Sequence, residues 1–273
     1  MNYKGLAIQA NVEETIENRL FEALRKICLI DPEGAMYKCR FARCGRTDKG
    51  VSALGNVCSL FVRKLKDDDY TARINRVLPT DIRILGHCIV PASFDARFSC
   101  VFREYNYFFF AQNMDIKQIA ASAKKFVGLH DFRNFCKKDD SVLTRDDEEQ
   151  NFMRRIFSFR TQLVQKNQQC PKLTIYKCVI KGTAFLWHQV RLMMNVLFMI
   201  GRGMESPDII EQLFDVAKIP ERPNYDMAPG ENLILSDCGF EDVKWTNQIY
   251  PDYETFVTFR VSILVDFANE VYL

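Results

Sequence analysis

The sequence Cys44-Gly-Arg-Thr-Asp-Lys-Gly-Val-Ser-Ala-Leu-Gly55 places a single aspartate, Asp48, between an arginine and a lysine. Residue types alternate on both sides, at 37–43 and 56–63, and a period of two predicts strands. Gly45 and Gly50 allow the connecting loop to turn sharply. A lone carboxylate held between cations is kept ionised and fixed in direction. The alternative is an ordinary surface turn around Asp48.

Length and composition are those of an ordinary globular protein. The 273 residues can bury a large core in one or two domains, and 48% of them are apolar and 26% charged. The net charge of +2 does not by itself indicate a nucleic-acid partner. The cations are nevertheless clustered at 40–49, 124–138 and 154–160, and acidic runs elsewhere cancel them in the total. Local fields attract phosphates, although each cluster taken alone is equally consistent with a solvated face.

The metal-binding and membrane signatures are absent from the sequence. The ten cysteines contain no Cys-x-x-Cys pair, and the three histidines have no His-x-x-x-His spacing, so we expect no zinc site and no other metal. The cysteines are predicted to be reduced and mostly buried. The sequence has no run of 18 apolar residues and no apolar signal core near Met1. We therefore expect an intracellular protein, in the cytoplasm and/or the nucleus, with no membrane partner.

Hydrophobic periodicity predicts helices and strands that are mixed without the strict alternation of a Rossmann sheet, which indicates an α+β fold. Helices are expected at 13–30, 70–78, 115–129, 185–201 and 207–216. Strands are expected at 37–44, 56–63, 82–90, 101–111, 156–165 and 173–182. The charged segment 137–150 is predicted to be mobile surface.

Four blocks of the sequence, in order, resemble the TruA family of tRNA pseudouridine synthases. The first is Gly-Arg-Thr-Asp-Lys-Gly-Val at 45–51. The others are Phe-Asp-Ala-Arg-Phe-Ser with Arg-Glu-Tyr-Asn-Tyr at 94–107, Gly-Leu-His-Asp-Phe-Arg-Asn-Phe-Cys-Lys at 128–137 and Phe-Leu-Trp-His-Gln-Val-Arg at 185–191. Residues 3–9 and 237–245 resemble the eukaryotic branch that modifies positions 38 and 39 of tRNA. The resemblance covers nearly the whole chain, and four matches in order make it specific.

The resemblance implies the pseudouridine synthase fold. This fold has two α/β subdomains, an extended mixed or antiparallel central sheet, and an active-site cleft between the subdomains. We expect an N-terminal subdomain at 1–100 with the aspartate loop, a C-terminal subdomain at 101–245 and a tail at 246–273. In the family a strand precedes the segment that resembles 3–5. We therefore expect either that the start is assigned too late or that the sheet lacks an edge strand.

The resemblance also implies an activity. The chain would be an isomerase that binds tRNA, needs no cofactor, and converts uridine to pseudouridine in the anticodon stem-loop at positions 38 and 39. One alternative is a sister enzyme with other target uridines, and another is an inactive tRNA-binding or chaperone protein. The oligomeric state stays open, a homodimer included.

Three residues match the catalytic positions of the family. Asp48 would be the essential carboxylate, either as a nucleophile or as a base on the sugar, and the sequence does not separate the two. Arg191 would pair with Asp48, because an arginine in an apolar segment needs an acid, although another acid would also serve. Tyr105 would stack on the target base and is a candidate proton carrier. The neighbouring Tyr107 is expected to pack in the core.

A second group is expected to bind the substrate. Arg46 matches the arginine that helps to extrude the target nucleotide from the stack. Lys49, Arg97 and Arg103 are predicted phosphate contacts, with surface solvation as the alternative for each. Leu235 resembles the apolar residue that walls the uracil pocket, and Leu233 fits that position nearly as well.

Overall fold

The computed structural model describes residues 3–9, 12, 14–33, 36–66, 69–138, 151–241, 243, 245 and 256–263. Most of the predicted surface segment 137–150 and most of the tail 246–273 lie outside these ranges. The chain forms two compact units. The first contains Met1–Arg103 and Ile234–Leu273, and the second contains Glu104–Leu233.

Strands and helices are interspersed along the described chain. The strands are β1 Ala42–Arg43, β2 Ser52–Phe61, β3 Ile82–Ile89, β4 Cys100–Phe110, β5 Gly128–Asp131, β6 Met153–Gln165, β7 Ile175–Gly182, β8 Leu233–Phe240 and β9 Phe256–Ile263. The α-helices are α1 Ile16–Lys26, α2 Tyr70–Asn75, α3 Ile116–Ala123, α4 Gln189–Gly201 and α5 Ile209–Phe214. Short 3₁₀ helices lie at Met36–Cys39, Lys124–Phe126, Arg133–Phe135 and Pro171–Leu173. This content confirms the predicted α+β class.

The first unit contains a mixed sheet in the order β3-β9-β2-β8. Strand β2 is parallel to β8 and antiparallel to β9 and to the short β1. Strand β9 is also antiparallel to β3, so a segment from late in the chain lies between two early strands. Along β2 most side chains are buried, as expected of a central strand covered on both faces.

Helix α1 begins at a side-chain cap. The hydroxyl of Thr15 accepts a hydrogen bond from the amide of Asn18 at 3.3 Å, which satisfies one of the open donors of the first turn. Leu20 and Leu24 are buried on its inner face, at the helical spacing seen in the sequence. The helix is shorter than the predicted 13–30 because Cys28 has a φ of +53°, which a continuing right-handed helix does not allow.

The second unit orders its strands β4-β7-β6-β5. In β4 the alternate side chains of Tyr105, Tyr107 and Phe109 are buried, which confirms the predicted period of two. Helix α4 is apolar on nearly every face and is buried for most of its length, as predicted.

Other predicted elements also differ from the structure. Residues 37–41 do not form a strand, because the chain there makes the 3₁₀ helix Met36–Cys39 and Arg40 has a φ of +48°. The helix expected at 115–129 ends at Ala123, since Gly128 has a φ of +124° and opens β5. The helix expected at 185–201 begins only at Gln189, after a left-handed residue at position 188.

The two compact units also divide the chain differently from the predicted boundaries. Strand β8 after Leu233 belongs to the first unit, and so does β9, the described part of the predicted tail. The physical reason is visible at Val243 and Trp245, which pack against the buried Cys88 and Val90 of the first unit. Among the described helices, none has the length and apolarity needed to cross a membrane.

Candidate active site

The loop between β1 and β2 presents Asp48 with a half-buried carboxylate. Its neighbours Thr47 and Gly50 are buried, whereas Arg46 and Lys49 are exposed. The loop therefore fixes its backbone inside the protein while its cations face solvent. This arrangement suits the predicted roles of Arg46 and Lys49 as contacts to an RNA backbone.

A buried asparagine holds the start of this loop. The side-chain oxygen of Asn56 accepts hydrogen bonds from the amides of Gly45 at 3.2 Å and Val57 at 2.9 Å, and its NH₂ group donates to the Gly45 carbonyl at 2.9 Å. Asn56 has no exposed surface. Because its amide replaces the backbone partners that a strand would supply, the chain can leave β1 without orphaned polar groups.

The N-terminal segment holds the middle of the loop. The amide of Leu6 donates to the Thr47 carbonyl at 3.1 Å. Gly5 has a φ of +121°, and a Cβ atom there would lie 3.1 Å from the same carbonyl oxygen and 3.6 Å from the carbonyl carbon of Asp48. Only glycine combines this conformation with such close backbone approach. The Tyr3-Lys4-Gly5 opening thus packs directly behind the catalytic candidate.

A tight turn ends the loop. The amide of Val51 donates to the carbonyl of Asp48 at 3.1 Å, and Gly50, the third residue of the turn, has a φ of +84°. The chain then enters β2 and pairs with β8, with Ala53 opposite Leu235. Leu235 is fully buried there, and its partner Ala53 follows the aspartate turn closely in the chain.

Arg103, predicted as a phosphate contact, instead binds backbone carbonyls inside the protein. Its side chain is 8% exposed, and its Nε and Nη2 donate to the carbonyl of Cys44 at 3.2 and 2.8 Å. Nη2 also donates to the carbonyl of Arg97 at 2.9 Å. A buried guanidinium that bonds backbone oxygens positions the two loops and is not placed to meet an RNA phosphate. We therefore correct its assignment from substrate contact to positioning residue.

Arg97 lies in an exposed turn that a single carboxylate organises. One oxygen of Asp95 accepts hydrogen bonds from the amides of Arg97 at 2.7 Å and Phe98 at 3.0 Å. The side chains of Arg97 and Phe98 are both exposed, and the guanidinium lies 5.1 Å from the centre of the Phe98 ring. Arg97 thus keeps the exposure that a phosphate contact requires.

Glu17 is a buried acid beside the loop that the sequence did not single out. Its carboxylate lies 2.7 Å from the Nε of Arg43 and accepts a hydrogen bond from the amide of Ile8 at 2.9 Å. Burial raises its pKa, and the Ile8 amide, Arg43 and Arg46 oppose that rise. Glu17 therefore ties α1 to the strand that enters the Asp48 loop.

In the second unit, Tyr105 lies on the buried face of β4. Its ring packs edge-on against Phe185 with the centres 5.1 Å apart. Two residues on, Tyr107 is fully buried, and its hydroxyl donates to the carbonyl of Pro229 at 3.0 Å. Burial raises the pKa of Tyr107 well above its usual range. Tyr107 therefore packs in the core, as predicted.

Arg191 lies in the first turn of α4. Its Nε donates to the carbonyl of Ala228 at 2.8 Å, and the Ala228 amide donates back to the Arg191 carbonyl at 3.3 Å. The turn is shaped by His188 with its φ of +63°, and by Gln189, whose side chain accepts from the amide of Leu186 at 2.8 Å. The guanidinium is thus oriented through its Nε by a fixed carbonyl.

Three cations of the basic segment 124–138 in the second unit form ion pairs. Lys125 lies 2.8 Å from Glu211, Arg133 lies 2.8 Å from Asp131, and Lys138 lies 3.1 Å from Glu221. These three cations of the segment 124–138 therefore have acids of the same unit beside them.

A surface cavity of about 680 Å³ lies elsewhere in the first unit. Its lining includes Tyr3, Arg19 and Pro79 and none of the predicted site residues. A protein that binds the surface of a folded RNA does not require such a cavity. The Asp48 loop is therefore the candidate site.

Comparison with known proteins supports the same family over most of the chain. A family model described as tRNA pseudouridine synthase matches residues 122–241. The tRNA pseudouridine synthase A of Methanothrix thermoacetophila is 32% identical over 252 residues, which are 91% of this chain and 82% of that protein. This chain belongs to the tRNA pseudouridine synthase family.

Eukaryotic members of the family are more similar in sequence. The tRNA pseudouridine(38/39) synthase of Homo sapiens is 44% identical over 89% of this chain and 54% of its own length. The protein of the same name from Saccharomyces cerevisiae is 41% identical over 93% of this chain and 58% of its own length. The chain thus spans a little over half the length of these relatives.

Four of the residues predicted from the family resemblance lie on or beside one loop of the first unit. Of the predicted residues, Asp48, Arg46, Lys49 and Leu235 lie on the loop or on the strand paired beside its exit. Asn56 and Glu17, which anchor that loop, were not predicted from the sequence. Two features of the sequence could have indicated them. Asn56 is a polar residue inside an apolar strand, and Glu17 is an acid on the inner face of an amphipathic helix.

Proposed function

We propose that this chain is an isomerase that converts uridine to pseudouridine in the anticodon stem-loop of tRNA, at positions 38 and 39. The observation that carries the proposal is the Asp48 loop, which a buried asparagine, a buried arginine and a close-packed glycine hold in one conformation. Such preorganisation is the property that a reacting carboxylate requires. The names of the relatives at 41–44% identity supply the target positions.

The reaction breaks the N1–C1′ bond of uridine, rotates the base, and joins C5 to C1′. Substrate and product are isomers, so the protein must supply positioning and proton transfer only. Asp48 would act either on C1′ as a nucleophile or on a sugar proton as a base. In both cases Asp48 would act as a carboxylate that is held at C1′ or at the sugar proton when the target uridine arrives.

The remaining roles follow from the exposure and contacts of each residue. Arg46 and Lys49, exposed on the loop, would contact phosphates near the extruded nucleotide. Tyr105 would stack on the flipped base, which contributes about 1–3 kcal/mol. Arg191 would pair with the Asp48 carboxylate, and its hydrogen bond to Ala228 would hold the guanidinium in direction.

The substrate would be read by shape and backbone charge. The exposed cations Arg46, Lys49 and Arg97 suit phosphate contacts, which position an RNA without reading its bases. We therefore propose that the folded anticodon arm of tRNA is the minimal substrate. The protein would then bind it much more tightly than an unstructured RNA of equal length.

Asp48→Asn tests the proposal, because it keeps the shape of the side chain and removes the charge. Purified parent and variant would be incubated with a tRNA carrying uridine at 38 and 39, and pseudouridine would be mapped at single-nucleotide resolution. We expect the variant to lose at least about a hundredfold in single-turnover rate, the range typical of a lost acid, base or nucleophile. Asp31→Asn, at an exposed position in a turn, is the matched control.

The alternatives predict different results in the same assay. Product at other uridines would favour a sister enzyme and overturn the 38/39 assignment. Tight binding of tRNA by the parent without any product would favour an RNA-binding or chaperone protein. A rate for Asp48→Asn within tenfold of the parent, about 1.4 kcal/mol of barrier, would exclude Asp48 as the reacting carboxylate.

A further inference from the structure

Three cysteines far apart in the sequence meet at the entrance to the Asp48 loop. Cys44 follows β1, Cys100 opens β4 and Cys238 lies in β8. Their three sulfur atoms all lie within 4.8 Å of one another. All three are free thiols of the first unit. Because their separations in sequence are so large, no spacing motif reveals this cluster.

The sulfurs are placed to share one ion. Two thiolates on a tetrahedral zinc, each at about 2.3 Å, lie roughly 3.8 Å apart, so shifts of less than about 1 Å would close the cluster on a metal. The backbone beneath the cluster is tightly packed. A Cβ atom added at Gly239, next to Cys238, would overlap the ring of Phe102, near Cys100. Strands β4 and β8 are therefore pressed together where two of the thiols lie.

The charge of the surroundings suits a divalent ion. The Arg103 guanidinium donates a hydrogen bond to the carbonyl of Cys44 at 2.8 Å, so a fixed positive charge lies beside the cluster. Three thiolates, one divalent cation and one guanidinium have no net charge. A buried cluster of this kind avoids the cost of an uncompensated ion.

Access differs among the three thiols. Cys44 and Cys238 are buried, whereas Cys100 is half-exposed. The sulfur of Cys100 donates to the carbonyl of Phe102 at 3.0 Å, and metal binding would replace that proton. The open side at Cys100 gives an ion a path of entry and leaves room for water as a fourth ligand.

We propose that Cys44, Cys100 and Cys238 form a zinc site that joins β4 and β8 to the entrance of the Asp48 loop. The site has a structural role and lies outside the reacting groups. It replaces the sequence-based expectation of no zinc site, which rested on the absence of short Cys-x-x-Cys spacings. Metal binding would stabilise the first unit, because an ion that binds only the folded state shifts the folding equilibrium.

The test uses the full chain and zinc alone. Protein purified in a non-thiol reductant would be dialysed against ZnCl₂, and its zinc content, melting temperature and absorption after Co²⁺ replacement would be measured. We expect one zinc per chain, a higher melting temperature with zinc, and thiolate-to-cobalt charge-transfer bands. Cys100→Ser should bind at least about tenfold less zinc at limiting concentration, since it removes one of three ligands.

Cys170→Ser is the matched control, because Cys170 is also half-exposed but lies in the second unit. It should keep the full zinc content. Circular dichroism of the metal-free variants shows whether both are folded before zinc is added. Zinc content and melting temperature that are the same in the parent and in Cys100→Ser would overturn the proposal. Loss of zinc in both variants would also overturn it, because binding would then not depend on this cluster.

Discussion

The Asp48 loop and the basic segment of the second unit contain the same residue types and use them in opposite ways. In the segment 124–138, cations lie beside acids such as Glu211 and Asp131. Around Asp48 the exposed cations Arg46 and Lys49 have buried neighbours, and a buried arginine holds the backbone. Counts of charge do not separate the two regions. The regions differ in what their cations contact. Near Asp48 a buried arginine binds backbone carbonyls and the loop cations face solvent, whereas in the segment 124–138 cations bind acids.

The largest difference should appear when an arginine is removed from each region. Arg103→Met leaves the carbonyls of Cys44 and Arg97 without their charged donor, and we expect a loss of about 3 kcal/mol in the free energy of unfolding. Arg133→Met removes a partly exposed ion pair with Asp131 and should cost under about 1 kcal/mol. Urea denaturation of the two variants checks this. Equal losses would show that the Arg103 hydrogen bonds are no stronger than a surface pair.

One buried asparagine in each unit allows the effect on reaction rate to be separated from the effect on stability. Asn56 holds Gly45 in the first unit, and Asn134 donates to the carbonyls of Leu213 and Ile219 in the second. Each changed to alanine should cost about 2 kcal/mol of stability, because buried backbone groups lose their partners. Only Asn56→Ala should also lower the single-turnover rate under conditions where both variants are fully folded. A matching loss of rate in Asn134→Ala would show that general destabilisation explains the effect.

Pairs of cations should differ in their effect on RNA affinity. Replacing both Arg46 and Lys49 with alanine should reduce the slope of log affinity against log salt by about 0.7–0.9 per lost phosphate contact. Replacing both Lys125 and Lys138, whose charges lie beside acids, should leave the slope nearly unchanged. Binding of tRNA measured at several salt concentrations distinguishes the two. A larger slope change for Lys125 and Lys138 would place the RNA on the second unit's basic segment.

The smallest effect concerns pH. Burial raises the pKa of Glu17 above its ordinary value of 4.5, so the folded state holds a proton that the unfolded chain releases. The stabilisation is therefore complete below that ordinary value and is lost as pH rises through the raised pKa. Glu17→Gln should remove this part of the pH dependence, as urea denaturation from about pH 4 to pH 7 would show. A parent and variant with parallel curves would contradict the assignment to Glu17.

The sequence predicted the fold class, the family and the loop that carries Asp48, because these depend on local periodicity and on contiguous motifs. Strand β4 was predicted almost to the residue for the same reason. The 3₁₀ helix at Met36–Cys39 and the late start of α4 were missed, because single residues in the left-handed region interrupt a pattern that otherwise continues. Such conformations depend on tertiary contacts more than on residue type.

The functional details that were missed are all long-range. Arg103 has the residue type of a phosphate contact. Only the folded structure shows that its buried side chain donates to the carbonyl of Cys44, which is 59 positions away. The cysteine cluster joins residues that no short motif connects. The two compact units divide the chain differently from the sequence-based boundaries because β8 and β9 return to the first unit, and that return depends on strand pairing.

That return has a consequence for how the protein is made. Strand β2 leaves the Asp48 loop early in synthesis, yet its neighbours β8 and β9 are translated only after the whole second unit. The second unit is continuous in sequence and can fold on the ribosome while the first unit waits with open strand edges. The loop that presents Asp48 therefore reaches its final form among the last parts of the chain, so in unfinished chains the candidate site is unformed.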